Sequence, residues 1–180
     1  APTTTDLKSM VDQMGVKEGD HVLEIGCGWG GFAEYAAKER GLKVTGLTIS
    51  QEQFNYAQER IEKAGISDLV EFKLQDYRDE KGTYDGIASI EMFEAVGEKY
   101  WPIYFETVRE RLKPGANATL QIITVDDRRW DIYKNSVDFI QKYIFPGGML
   151  PSPKALRQQV AKAGLEVERS IEFGPSYNIS

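Results

Sequence analysis

The chain has 180 residues, with 22 Lys plus Arg against 28 Asp plus Glu, a net charge of −6, one cysteine and one histidine. Its 41% hydrophobic and 28% charged residues describe one folded domain rather than a disordered chain. This balance argues against a nucleic-acid backbone as partner, and the lone cysteine and histidine argue against an internal disulfide or a Cys/His zinc centre.

The first residues are polar and lead into an amphipathic piece around Leu7, Met10, Val11 and Met14. His21 to Ile25, HVLEI, predicts a parallel strand buried on both faces. Gly26-Cys27-Gly28-Trp29-Gly30-Gly31 is a sharp turn, and Phe32 to Arg40 a helix stopped by Gly41. Lys43 to Ile49 is the second strand. Ser50 is placed to cap the next helix in a capping box with Gln53, and that helix runs to Ala64 before Gly65.

Val70 to Leu74 and Tyr84 to Ile90 are the third and fourth strands. A helix over residues 98–112 is ended by Lys113-Pro114-Gly115, and Thr119 to Val125 is the fifth strand. Strands alternating with helices at short intervals predict an α/β fold with a parallel sheet covered on both faces. The rhythm breaks after residue 126. An aromatic-rich stretch follows (Trp130, Tyr133, Phe139, Tyr143, Phe145), then a helix capped by Ser152 and a sixth strand over Leu165 to Phe173. The chain reads as one domain over 1–180: a ligand-binding core at 20–125, a helical insert at 126–163 and a last-strand region at 164–180. No apolar run reaches the roughly 18 residues of a membrane span and the start carries no hydrophobic leader, so a cytoplasmic setting is expected.

The chemistry concentrates at the strand ends. Glu24 precedes Gly26-x-Gly28-x-Gly30, a GxGxG turn opening a helix. Glycines let a ligand lie against the backbone, while a carboxylate beside the turn opposes a pyrophosphate and suits a ligand carrying an amino group. A nucleoside-type cofactor without phosphates fits best, with a dinucleotide or a plain structural turn as the other readings. Thr48-Ile49-Ser50 stands where a dehydrogenase places a ribose-binding acid, and Thr48 and Gln53 offer polar contacts instead. Asp76 can accept from an adenine amino group, and the Tyr77 ring can pack on the base. The fourth strand delivers Glu91 and Glu94 to the same crevice. Cys27 reads as a small buried filler, and His21, before the first strand, has no catalytic part.

The segments VLEIGCGWGGFA (22–33), GLTISQEQ (46–53), LQDYRD (74–79), SIEMFEAVGEKYWPIYF (89–105) and FIQKYIFPGGMLPS (139–152) resemble the cyclopropane-fatty-acid synthase and mycolic acid cyclopropane synthase family. The resemblance implies a class I S-adenosylmethionine-dependent methyltransferase, a Rossmann-like three-layer sandwich on a mostly parallel sheet. It implies addition of a methyl or methylene carbon to the double bond of an unsaturated fatty-acyl chain, giving a cyclopropane or a methyl branch. S-adenosyl-L-methionine would be held by Glu24, Gly26, Gly28, Trp29, Gly30, Thr48, Ile49, Gln53, Asp76, Tyr77 and Glu91. Glu94, Tyr143 and Tyr177 fall on catalytic or acyl-side positions, and Glu94 matches the family's glutamate that helps hold a bicarbonate ion.

Departures from the family are specific. Ala95 and Ile123 stand where many members carry histidines, and the segment bearing the anion-site cysteine has no counterpart. The family's further C-terminal helices and last strand are likewise expected to be missing, so the seventh strand is expected to be absent. Methyl transfer is therefore the firmer expectation and ring closure the weaker one. Two other readings stay open: an N- or O-methyltransferase acting on a soluble small molecule, and a truncated S-adenosylmethionine-binding domain without activity. The expected partner is an unsaturated acyl lipid or a small acceptor, with transient membrane-surface contact and a homodimer left open and no nucleic acid.

Overall fold

The computed structural model describes residues 3–90, 96–121, 153–171 and 176–179. The chain opens with α1 (Thr4–Met14), whose Leu7, Met10, Val11 and Met14 are all buried. Thr3 and Asp6 start this helix with a reciprocal capping box. β1 (His21–Ile25), α2 (Gly31–Arg40), β2 (Lys43–Thr48), α3 (Gln51–Ala64) and β3 (Val70–Leu74) follow, with Gly41 and Gly65 in left-handed conformation closing α2 and α3. A 3₁₀ turn (Tyr77–Asp79) leads to β4 (Tyr84–Ile90), and another (Glu98–Tyr100) to α4 (Trp101–Arg111). β5 (Leu112–Gln121), α5 (Pro153–Lys162), β6 (Val167–Ile171) and β7 (Ser176–Ile179) complete the described elements.

The seven strands form one sheet in the order β3-β2-β1-β4-β5-β7-β6. β1 to β5 are parallel neighbours, while β7 is antiparallel to both β5 and β6. This corrects the expectation that the seventh strand is absent. Ser176–Ile179 is too short to announce itself by periodicity, but it fills the slot between β5 and β6, and Ile179 is wholly buried. Tyr177 takes its place there in register with Leu120 and Ser170.

Lys113-Pro114-Gly115 is also corrected. It stops α4, as expected, but lies within β5. The β4–β5 register jumps from Tyr84↔Leu112 to Gly86↔Asn117, so these residues bulge out of the ladder instead of preceding it, with Gly115 at φ 80°. A bulge frees the proline from donating to a neighbour. The expected continuation of the strand through Val125, the Ser152 cap and the aromatic stretch lie outside the described residues.

Parallel pairing places Leu23, Ile25, Ile87 and Leu120 on one face of the sheet, where they pack with Tyr104, Phe105 and Val108 of α4 and with Leu156 and Val160 of α5. Val22, Val44, Phe72 and Ala88 belong to the other face, under α1, α2 and α3. Helices on both faces of a mostly parallel sheet make the expected three-layer sandwich. α5, read as part of a helical insert, buries Leu156 and Val160 in this core. Among the described residues no helix is long and apolar enough to cross a membrane.

Candidate functional site

The carboxyl ends of β1, β2 and β3 open into a cleft of about 740 Å³, closed on its far side by residues 96–100. Open α/β sheets place their ligands in this position because the strand order reverses between β1 and β4. Ile25 and Gly26 form the base, Thr48, Ile49, Ser50 and Gln53 one side, and Asp76, Tyr77 and Arg78 the next.

Glu24 is the most unusual group near it. It is 2% exposed, and among the described residues Oε1 has no hydrogen-bond partner. Burial pushes its carboxyl well above the usual carboxylate range. The Cys27 thiol is pushed up to about 12, by burial first and then by Glu24. Cys27 is buried, as the sequence suggested.

Gly26, Gly28 and Gly30 all have positive φ, at 79°, 53° and 89°. The turn is pinned by the Cys27 N–H donating to Leu47 at 2.7 Å and the Gly30 N–H donating to Cys27 at 3.1 Å. Gly30 must also be small, because a Cβ there would meet the Ala57 Cβ at 3.2 Å. α2 then begins with no side-chain cap, which leaves its first-turn N–H groups for another acceptor. Of the turn, Gly26 lines the cleft, while Glu24, Gly28, Trp29 and Gly30 lie behind or beside it; Trp29 is half-exposed and edge-on to Tyr56 of α3 at 5.3 Å.

At the end of β2, Thr48 is buried, while Ile49 lines the cleft yet is 80% exposed. The expected capping box is only half formed. Ser50 Oγ accepts from the Gln53 N–H at 3.2 Å, but the Gln53 side chain turns to Thr48, whose hydroxyl donates to Oε1 at 3.2 Å. Thr48 and Gln53 therefore present a joined polar pair to the cleft.

At the end of β3, Asp76 is already engaged. Arg78 donates to it through its backbone N–H (2.9 Å), Nε (3.0 Å) and Nη2 (2.7 Å). The Arg78 guanidinium is the main reason its carboxyl lies below the usual range. Tyr77 lines the cleft but is mostly buried, with its ring edge-on to Tyr104 at 5.6 Å, so much of its surface serves the core. Across the cleft, the Trp101 indole N–H holds the Val96 carbonyl at 3.0 Å and fixes the opposite wall.

The cofactor candidate Glu91 and the catalytic or acyl-side candidates Glu94 and Tyr143 lie outside the described residues, while Tyr177 is placed by its backbone in β7. Sequence reasoning missed Arg78 and Gln75, although an Asp-x-Arg pair just after a strand was a readable signal. It also missed Glu80, which is 5% exposed and accepts from Tyr84 (2.8 Å), Lys73 (3.2 Å) and Gln75 (3.3 Å), the last of these lining the cleft. His21 sits at the other end of β1 from the cleft, in contact with the Thr45 hydroxyl over 2.7 Å.

Comparison with known proteins agrees with this fold. The sequence profile of the mycolic acid cyclopropane synthetase family matches residues 3–180. The tuberculostearic acid methyltransferase UfaA1 of Mycobacterium tuberculosis is 41% identical over 169 residues, covering 93% of this chain and 39% of that protein. The cyclopropane-fatty-acyl-phospholipid synthase of Escherichia coli is 40% identical over 172 residues, covering 96% of this chain and 43% of that protein. The chain thus spans less than half the length of these relatives. The cyclopropane synthase MmaA2 from Mycobacterium tuberculosis superposes with a TM-score of 0.83 at 26% identity, over 93% of this chain and 62% of that one.

Proposed function

The chain belongs to the mycolic acid cyclopropane synthetase family, and from that premise we propose that it binds S-adenosylmethionine in the strand-end cleft and adds its one-carbon unit to the double bond of an unsaturated acyl chain. The observation that carries the reading is Glu24: a buried carboxyl beside a glycine turn, with one oxygen unpartnered among the described residues. Such a group is costly unless a cation or donor meets it, and a ligand ammonium is both. The residues present fit the cofactor. Glu24 would receive its amino group, the glycine turn and the bare start of α2 its carboxylate, Thr48 and Gln53 its ribose hydroxyls, and Asp76 its adenine amino group.

When bound, the cofactor supplies an electrophilic methyl on a positively charged sulfur. The protein's part is to orient, to keep water away and to place negative charge where a cation develops on the acyl chain. Glu94 is assigned that last part, either directly or by holding an anion or water that takes a proton, with Tyr143 and Tyr177 on the acyl side. Residues 20–125 would form the cofactor half, and the stretch from 126 towards α5 would serve the acyl chain. A cytoplasmic setting with brief membrane-surface contact accompanies an acyl-lipid substrate. The names of the two relatives, a tuberculostearic acid methyltransferase and a cyclopropane-fatty-acyl-phospholipid synthase, support the acyl class.

The test is methyl transfer from isotope-labelled S-adenosylmethionine to unsaturated phospholipid vesicles, with mass analysis of the released chains. A gain of one methylene on unsaturated chains alone is expected, and fragmentation then separates ring from branch. Cofactor binding without any gain, in this chain and in one extended at both ends, would overturn the acyl assignment.

A further inference from the structure

We propose that Arg78 is a positioning residue for base recognition: it holds the Asp76 carboxylate in the one orientation that reads an adenine amino group, so the cleft's choice between purine bases depends on Arg78. The inference rests on the cofactor reading above and deepens it. A carboxylate offers about four acceptor positions. Oδ1 takes two of the Arg78 donors, the backbone N–H and Nε, while Oδ2 takes only Nη2. Among the described residues one acceptor position is therefore left, on Oδ2, and Asp76 lines the cleft.

The other side of the guanidinium is also held. Its Cζ lies 5.8 Å from the centroid of the Tyr100 ring, and Lys99 Nζ lies 4.8 Å from the same centroid. Arg78 thus spans the gap from the β3 side of the cleft to the 96–100 side, gripping Asp76 with its fork and facing an aromatic ring. As a plain surface ion pair it would contribute little, since both side chains are partly exposed. Its effect lies in orientation: without the fork, Asp76 keeps only the backbone N–H of residue 78, which caps the Tyr77–Asp79 turn but leaves the carboxylate free to rotate. A lysine would keep the charge and lose the two-point grip.

The experiment is calorimetric titration of the full chain with S-adenosylhomocysteine and with its inosyl counterpart, which carries a carbonyl where adenine has its amino group. The wild type should favour the adenosyl ligand by about tenfold or more, the scale of a lost charge-assisted hydrogen bond. Arg78→Ala should lower adenosyl affinity about tenfold and leave inosyl affinity within about twofold, so the preference collapses. Arg78→Lys should behave like Arg78→Ala, and Asp76→Asn should abolish the preference and make Arg78→Ala silent when the two are combined. Equal weakening of both ligands by Arg78→Ala, or no change in either, would overturn the inference. A wild type that binds both ligands equally overturns it while sparing the cofactor reading; a wild type that binds neither overturns both.

Discussion

The hydroxyl of Thr48 donates to the side-chain carbonyl of Gln53 over 3.2 Å, and the Thr48 Oγ1 itself accepts the Ser50 N–H at 3.1 Å. One buried threonine thereby ties the end of β2 to the first turn of α3 and draws Gln53 away from the helix cap it could have completed. The side of the cleft assigned to the ribose is built before any ligand arrives, and preorganisation of this kind lowers the ordering cost of binding.

Thr48→Val keeps the shape and removes both hydrogen bonds. The expected result is a fall of about threefold to tenfold in affinity for S-adenosylhomocysteine, with stability lower by about 1 kcal/mol. Calorimetry and thermal unfolding read the two effects separately. Unchanged affinity would remove Thr48 and Gln53 from the ribose assignment.

Glu24→Gln should make the free protein more stable and the site worse. The folded-state pKa of Glu24 is raised, so between its unfolded value and that raised value the unfolded chain releases a proton that the folded chain keeps. Wild-type stability therefore falls as pH rises through this window, and the glutamine variant is spared the fall. Urea unfolding at several pH values should show the variant's advantage growing from about pH 4.5 upwards. Cofactor affinity should drop by at least about tenfold, as expected for the loss of a charge-assisted contact. A variant that is neither more stable nor weaker in binding would contradict the assignment.

Glu80 works in the opposite direction. Burial alone would raise its carboxyl, but hydrogen bonds from Tyr84, Lys73 and Gln75 together hold it below its ordinary value. Asp85 is also lowered, first by the backbone N–H of His21 and then by Lys113. The stability these carboxylates contribute is present above their unfolded values and lost as pH falls through the folded ones, below about pH 4. Glu80→Ala, which removes the acceptor shared by Tyr84, Lys73 and Gln75 while Tyr84 keeps Thr45 as a side-chain partner, should cost about 2 kcal/mol at neutral pH and flatten part of the acid loss. Denaturant unfolding from neutral to acid pH measures both.

Gly46→Ala tests how tightly the sheet meets the glycine turn. A Cβ at this position would stand 2.7 Å from the Phe72 ring and 2.9 Å from the Cys27 Cβ. Because Cys27 belongs to the turn, the clash should move it, costing about 1–3 kcal/mol in stability and weakening cofactor binding. An unfolding midpoint equal to wild type would mean that Phe72 can yield.

Where local pattern and tertiary need coincide, the sequence was readable. HVLEI is buried from Val22 onward, α3 ends at Ala64 before Gly65, and the GxGxG turn lies at the mouth of the sheet. The misses share a physical cause, which is that their determinants lie far along the chain. Ser-Tyr-Asn-Ile has too few apolar residues to signal a strand, and pairing with β5 and β6 makes it one. Lys-Pro-Gly reads as a turn, and whether it lies before the strand or bulges within it depends on the register that β4 imposes. Gln53 had two hydrogen-bonding choices within reach, and Thr48 won. Asp76 was found as a candidate base contact, but the arginine two residues on, which decides where that carboxylate points, was not.

The position of β7 has a consequence for assembly. Among the described residues β6 joins the sheet through β7, the shortest of the described strands and the one that follows it. The five parallel strands can zip together as the chain emerges, but the edge strand must wait for the residues that follow it before it has a ladder to join. A chain cut after β6 would therefore lose two strands from its sheet, and would expose the edge of β5, including the wholly buried Leu120, as a template for pairing with other molecules.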